Sequence, residues 1–171
     1  LAYALVFKHY MLLDVLLLAG LYTIRIFAGA AAIDVEVSSW LLGFSMFVFL
    51  SLALVKRTSE LVALQQLSRT AASGRDYRVG DLEVLTGMGV AAAFAGVVVL
   101  ALYINTPEVL VRYDRHRWLW LLCPLMLYWL ARLWMKTRRG EMHDDPLVFA
   151  MRDRASWVIA AALVAVTLTA V

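Results

Sequence analysis

A single cysteine, Cys123, among 171 residues excludes an internal disulfide, and with it the stapled scaffold of a small secreted domain. Charge is scarce too. Asp, Glu, Lys and Arg make up 17% of the chain, against roughly 25% in a soluble globular domain. That shortage argues against an ordinary cytosolic enzyme. No HExxH pair, CxxC pair or other zinc spacing occurs, and His9, His116 and His143 are scattered. The Walker-type phosphate loop and the GxSxG elbow of serine hydrolases are missing as well. No internal repeat or low-complexity tract is evident, and no stretch alternates as the strands of a membrane barrel do. What the chain holds in excess is apolar side chains, 63% of it, which excludes disorder. A polytopic membrane protein remains.

Length bounds the number of crossings. At about 20 residues per span, five spans need roughly 100 residues and leave ample room for loops. Five stretches qualify as helical spans: 11–33, 40–55, 84–104, 118–135 and 155–171. The second continues into water as LVKRTSELVALQQL, whose spacing suits a protruding helix. The apolar run 1–7 is too short to cross and reads as the end of a helix that begins upstream. The opening Leu points to a fragment, and no basic region precedes an apolar stretch as in a signal peptide. The expected fold is therefore an all-α transmembrane bundle, one domain over 1–171, with five full spans and an N-terminal stub. Between spans, Gly74, Gly80 and Gly140 mark breaks. Asp81 suits the N-cap of the third span with Glu83 in its first turn, and Asp145 before Pro146 suits a helix start.

The loop charges fall on two sides. Lys8, Lys56, Arg57, Arg69, Arg75, Arg78, Lys136, Arg138, Arg139, Arg152 and Arg154 lie on one side. Only Arg112, Arg115 and Arg117 lie on the other. The positive-inside rule places the first set in the cytoplasm and the C-terminus outside. Trp40, Trp118, Trp120 and Trp157 sit near span ends, where indole rings favour the interface. The basic residues follow topology and form no groove-reading module, so no nucleic acid is expected.

Charged groups within spans are costly unless paired or wet. Asp14 and Arg25 share the first span. Eleven steps of about 100° bring them to one face, roughly 16 Å apart, which predicts that this face lines the interior or a watery cavity. Arg132 is the other basic residue inside a span. At the end of the second span, Lys56 and Glu60 stand at i,i+4, the spacing of an ordinary surface ion pair. Lys56 and Arg57 beside carboxylates, with Gly74, Arg75, Tyr77 and Arg78 following, also suit a phosphate–metal site, since Mg²⁺ favours one or two carboxylates plus phosphate oxygens. The adjacent Asp144 and Asp145 do not share a helix face and make a poor metal clamp.

Taken together, YALVFKHYMLLDVLLLAGLYTIRIFAGAAAI, SSWLLGFSMFVFLSLALVKRTSEL, GRDYRVGDLEVL and GEMHDDPLVFAMRDRAS resemble the UbiA superfamily of intramembrane prenyltransferases. Within it they look most like the decaprenyl-phosphate phosphoribosyltransferase branch. The likeness covers essentially the whole chain and keeps the order of the elements. It implies a nine-helix bundle with a cavity open to the cytoplasm and to lipid, of which this chain supplies the end of helix four and helices five to nine. The family's first aspartate-rich motif would lie before Leu1. Where the second often reads DxxxD, this sequence has KRTSE, with Lys56 and Glu60 at that spacing.

The resemblance implies Mg²⁺-dependent transfer of phosphoribose from phosphoribosyl pyrophosphate to a polyprenyl phosphate, for a cell-wall arabinan precursor, in the bacterial plasma membrane. On that mapping Asp14, Lys56 and Glu60 are the catalytic candidates. Lys8, Arg57, Arg75 and Tyr77 bind substrate, and Glu60 and Asp81 bind metal. A UbiA-type prenyltransferase with a prenyl diphosphate donor and an aromatic acceptor is the alternative. A transporter or scaffold, with Asp14 and Arg25 along a pathway, is a further one. Lipid chain length and oligomeric state stay open.

Overall fold

The computed structural model describes residues 12–34, 38–67, 77–142 and 145–171. The stub at 1–7, with Lys8, Gly74, Arg75, His143 and Asp144, lies outside the described residues. Among those described, the regular elements are helices: α1 (Leu13–Ala32), α2 (Ser39–Gln66), α3 (Leu82–Ile104), α4 (Pro107–Arg112), α5 (Leu122–Arg138), α6 (Pro146–Arg152) and α7 (Arg154–Ala170). Short 3-10 turns at Val79–Asp81 and His116–Leu121 lead into α3 and α5. Four of these stretches are long and apolar enough to cross a membrane, and α6 with α7 make a fifth if the bent pair is one span.

The ends of the helices follow local chemistry. Ser38 accepts the Trp40 N–H and starts α2, which runs unbroken for 28 residues. At 1.5 Å per residue it is roughly 42 Å long, longer than a hydrocarbon core of about 30 Å. Lys56, Arg57 and Glu60 belong to the C-terminal part, as the sequence predicts. Gly140 ends α5 at φ +73°, in the left-handed region that glycine tolerates, and its own amide bonds back to Thr137. A Cβ there would meet the Gln66 side chain at 2.3 Å. The segment 105–117 reads as a loop in sequence, but Pro107 at the first helical position lets a short helix, α4, form inside it.

The approach to the fifth span holds a feature the sequence reading did not include. The expected helix over 155–171 is present as α7, but Asp153 before it is extended, at φ −84° and ψ 118°, and sets the short α6 at 83° to it. Its carboxylate accepts the Ser156 N–H as the N-cap of α7, and both its oxygens receive Arg132, at 2.6 and 2.9 Å. Capping and a bidentate arginine together hold the corner.

α2 is the hub, packed between α1 and α3 and touching α5 and α6. Small residues let α3 come close: a Cβ on Gly96 would lie 3.1 Å from Val48, and one on Gly89 would lie 2.0 Å from the Trp134 ring. Trp134 of α5 donates to Ser51 Oγ at 3.0 Å, and Ser51 donates to the Gly89 carbonyl at 2.8 Å. Three helices thus share one hydroxyl. Gly89→Ala should destabilise the protein by about 1–3 kcal/mol, because the ring must move and its hydrogen bond goes with it. Thermal unfolding in detergent checks this, and adding Trp134→Phe should cost less in that background than in the parent protein.

Candidate functional site

The site begins with Arg57, whose guanidinium keeps its charge wherever the fold puts it. Here the residue is 1% exposed. Its Nη2 lies 2.6 Å from Oδ2 of Asp14, itself fully buried at the start of α1. No N–H of Arg57 is aimed along a hydrogen bond at that oxygen, so the contact is one of charge more than of direction. Nη1 donates to Glu60, one turn on in α2. The guanidinium also lies over the Tyr77 ring, 5.5 Å from its centre, in cation–π contact.

Tyr77 closes the cluster from the chain entering α3. Its hydroxyl donates to Asp14 Oδ1 at 2.5 Å and accepts the Leu12 N–H at 2.7 Å. Burial first, and then the bond to Asp14, push the phenol well above its ordinary range, so it stays a neutral donor. Leu12 has φ +67°, uncommon for a residue with a side chain, and its amide is the one held by Tyr77. Asp14, Arg57 and Glu60 carry one positive and two negative formal charges between them. Arg57 Nε and Thr58 Oγ1 are buried and make no hydrogen bond among the described residues.

Lys56 faces elsewhere. Its Nζ bonds to Asp145 Oδ2 at 2.7 Å, tying α2 to the start of α6. Asp145 also accepts the Leu147 N–H as an N-cap, as the Asp-Pro pair predicts. Burial opposes ionisation of Asp145, but the Lys56 and Leu147 hydrogen bonds outweigh it and hold the carboxyl below its usual value. Beneath this bridge lies a narrow cleft between α1, α2 and α6, walled by Tyr22, Phe49 and Leu147 among others.

The structure therefore regroups the residues singled out in sequence. Asp14, Arg57, Glu60 and Tyr77 meet in one cluster. Lys56 pairs with Asp145, and Glu60 receives Arg57, so KRTSE acts through neighbours in space as well as through its own spacing. Arg57, expected at a phosphate, is held here by two carboxylates. Asp81 turns its carboxylate back to the Arg78 N–H at 2.9 Å, occupying the N-cap position of α3 without bonding its amides. Lys8 and Arg75 lie outside the described residues. Arg25, expected with Asp14 on a face lining the interior or a watery cavity, is exposed in this chain, with its guanidinium over the Tyr22 ring at 5.0 Å. α1 packs chiefly on α2, which reaches along it as far as Tyr22, stacked on Phe49 at 5.3 Å, while the Arg25 side chain stays exposed.

Sequence reading missed Asp145 as the partner of Lys56, and Asp153 as the partner of Arg132. These contacts span 89 and 21 residues, and no local pattern announces either. Among the described residues no group of three His, Cys, Asp or Glu side chains is placed to hold a metal.

No family model matches the chain. An uncharacterized protein, y4nM, from Sinorhizobium fredii is 38% identical over 162 residues, covering 94% of this chain and 31% of that protein. The nodulation protein NoeC from Azorhizobium caulinodans is 34% identical over 146 residues, covering 85% of this chain and 48% of that protein. The chain thus spans between about a third and about half of the curated relatives it matches.

Two outcomes follow from this geometry. Tyr77→Phe should lower stability by about 1–3 kcal/mol, since it removes the buried hydrogen bond to Asp14 and the acceptor of the Leu12 amide, as read by denaturation in detergent. Asp145 has a depressed folded pKa, so its contribution is complete above the ordinary carboxyl value of 3.8 and is lost as pH falls through the lower folded value. The stability gap between the parent and Asp145→Asn should therefore be flat from about pH 5 to 8 and shrink below about pH 4.

Proposed function

We propose that the chain forms part of a membrane-embedded transferase that moves phosphoribose from phosphoribosyl pyrophosphate to a polyprenyl phosphate, in the manner of the UbiA-type branch it resembles. The observation that carries the reading is the ionic cluster at one end of α2. A buried Arg57 between Asp14 and Glu60 adjoins a more accessible Lys56, at the end of the longest span-forming helix. In this reading that end faces the cytoplasm of a bacterial plasma membrane, as the basic loops suggest. Because the chain covers only part of its relatives, the activity belongs to the complete protein. Neither relative's name states a reaction.

The acceptor is already an anionic nucleophile, so the site needs no strong general base. A phosphate oxygen forms the new bond to the anomeric carbon as the bond to pyrophosphate breaks, and pyrophosphate leaves with the electron pair. Positive charge grows on the ribose and negative charge on the leaving group. The Asp14 carboxylate, fixed by Arg57 and Tyr77, favours the first. Lys56 favours the second when a phosphate replaces Asp145 as its partner, with Lys8 and Arg75 as further phosphate contacts. Arg57 orients the carboxylates, and Tyr77 supplies a neutral hydrogen-bonding wall. Glu60, a third exposed at its side chain, fits Mg²⁺ held by one carboxylate plus donor phosphates, the usual mode for this ion. Mg²⁺ so held would neutralise charge on the leaving pyrophosphate.

The test uses the complete protein in detergent with Mg²⁺, radiolabelled phosphoribosyl pyrophosphate and a polyprenyl phosphate, counting label extracted into organic solvent. Label should appear, and Lys56→Ala and Glu60→Ala should each cut it by roughly 10²-fold or more while the protein remains folded. Near-normal turnover in both variants would remove the assigned roles. Transfer from a prenyl diphosphate to an aromatic acid instead would move the protein to the prenyltransferase branch. Silence in both assays would favour a transporter or scaffold.

A further inference from the structure

A second feature stands apart from the ionic cluster. Below the corner of α6 and α7, against α5, lies a cavity of about 550 Å³ walled by Met126, Trp129, Met151, Ala160 and Leu163 among others. That volume is within the range of small-molecule sites. Its polar wall atoms are already engaged with each other. Trp129 Nε1 donates to Ser156 Oγ at 3.1 Å, Ser156 Oγ donates to Asp153 at 2.9 Å, and Trp157 Nε1 donates to the Met151 carbonyl at 2.8 Å. Nothing there is offered to water or to a polar ligand, and an apolar space of this kind takes up hydrocarbon.

Geometry supplies the depth. With α7 crossing the bilayer, an 83° corner lays α6 close to the membrane plane, so the cavity sits where headgroups meet acyl chains. Trp157, 62% exposed, marks the same level. Charge supplies the selectivity. Asp153 is neutralised by its two bonds to Arg132, while Arg154 beside it is exposed and presents a cation at the corner. We propose that this cavity holds a hydrocarbon chain of an anionic membrane phospholipid, with the lipid phosphate against Arg154 at the corner. The site does not depend on the proposed transfer reaction, only on the protein being embedded in a bilayer. Leu147 lines both this cavity and the cleft beneath the Lys56–Asp145 bridge, so the bound chain also supports the short helix that carries Asp145.

Native mass spectrometry of the delipidated complete protein in detergent tests this, with phosphatidylglycerol and phosphatidylcholine titrated separately. One phosphatidylglycerol should be retained at a concentration roughly fivefold below that needed for phosphatidylcholine. Ala160→Trp and Leu163→Trp, which fill the cavity from α7, should lose that adduct while melting like the parent. Arg154→Gln, a surface change that leaves the cavity intact, should retain both lipids alike. Equal retention of the two lipids by the parent overturns the proposal, as does an undiminished adduct in both Trp variants. If either Trp variant fails to fold, an unchanged preference in Arg154→Gln overturns it alone. Displacement of phosphatidylglycerol by an equal amount of polyprenyl phosphate would assign the cavity to that lipid instead.

Discussion

A guanidinium that cannot shed its proton has been placed where almost no water reaches it, and much of the structure follows from that. Removing such a charge from water costs several kcal/mol even after relaxation, so it must be met by opposite charge and by polarisable or hydrogen-bonding surface. Arg57 draws these from three parts of the chain. Asp14 comes from the first turn of α1, Glu60 from its own helix, and the Tyr77 ring from the approach to α3. Each contributor is then constrained in turn: Asp14 by Tyr77, Tyr77 by the Leu12 amide, and Leu12 by an unusual backbone angle. A buried pair of this kind adds little net stability compared with apolar packing. What it does here is fix where α1 and the start of α3 meet α2.

The helical architecture was largely legible in the sequence because each determinant is local. Apolar runs of the right length, Asp145 as a cap, and Gly140 as a stop each act within a few residues. The helical run through KRTSEL was legible for the same reason: no breaker interrupts it. The corner at Asp153 was not. Asp153 in MRDRAS suits the N-cap of a span from 155, but the turn also depends on Arg132 lying opposite, and that contact exists only after α5 folds back. Tertiary partners likewise decided Arg25. Periodicity puts it on the Asp14 side of α1, but what covers a residue depends on its neighbours in space: Asp14 meets Arg57 and Tyr77, whereas Arg25 is exposed.

The candidate site shows the same division. Residue types and rough location were readable, since Asp14, Lys56, Arg57, Glu60 and Tyr77 all stood out as charged or hydrogen-bonding groups in an apolar chain. The pairing was not, because spacing within α2 suggested Lys56 with Glu60, whereas the structure sends Lys56 to Asp145, 89 residues away. Reading i,i+4 along a single helix ignores the carboxylates that other elements deliver. The energetic difference is large enough to matter. A solvent-exposed pair on one helix contributes a few tenths of a kcal/mol, while a fully buried Asp–Arg contact dictates packing.

Lys56 and Arg57 are sequence neighbours, so their side chains leave α2 about 100° apart. One grips α6 through Asp145 and the other grips α1 through Asp14. The two grips share a single rigid axle. Any roll of α2 about its own axis that relaxes one contact pulls on the other. The mouth of the bundle therefore has one coupled degree of freedom where two independent gates would have two, and whatever loosens α6 at Lys56 is felt as torque on the buried carboxylate of α1.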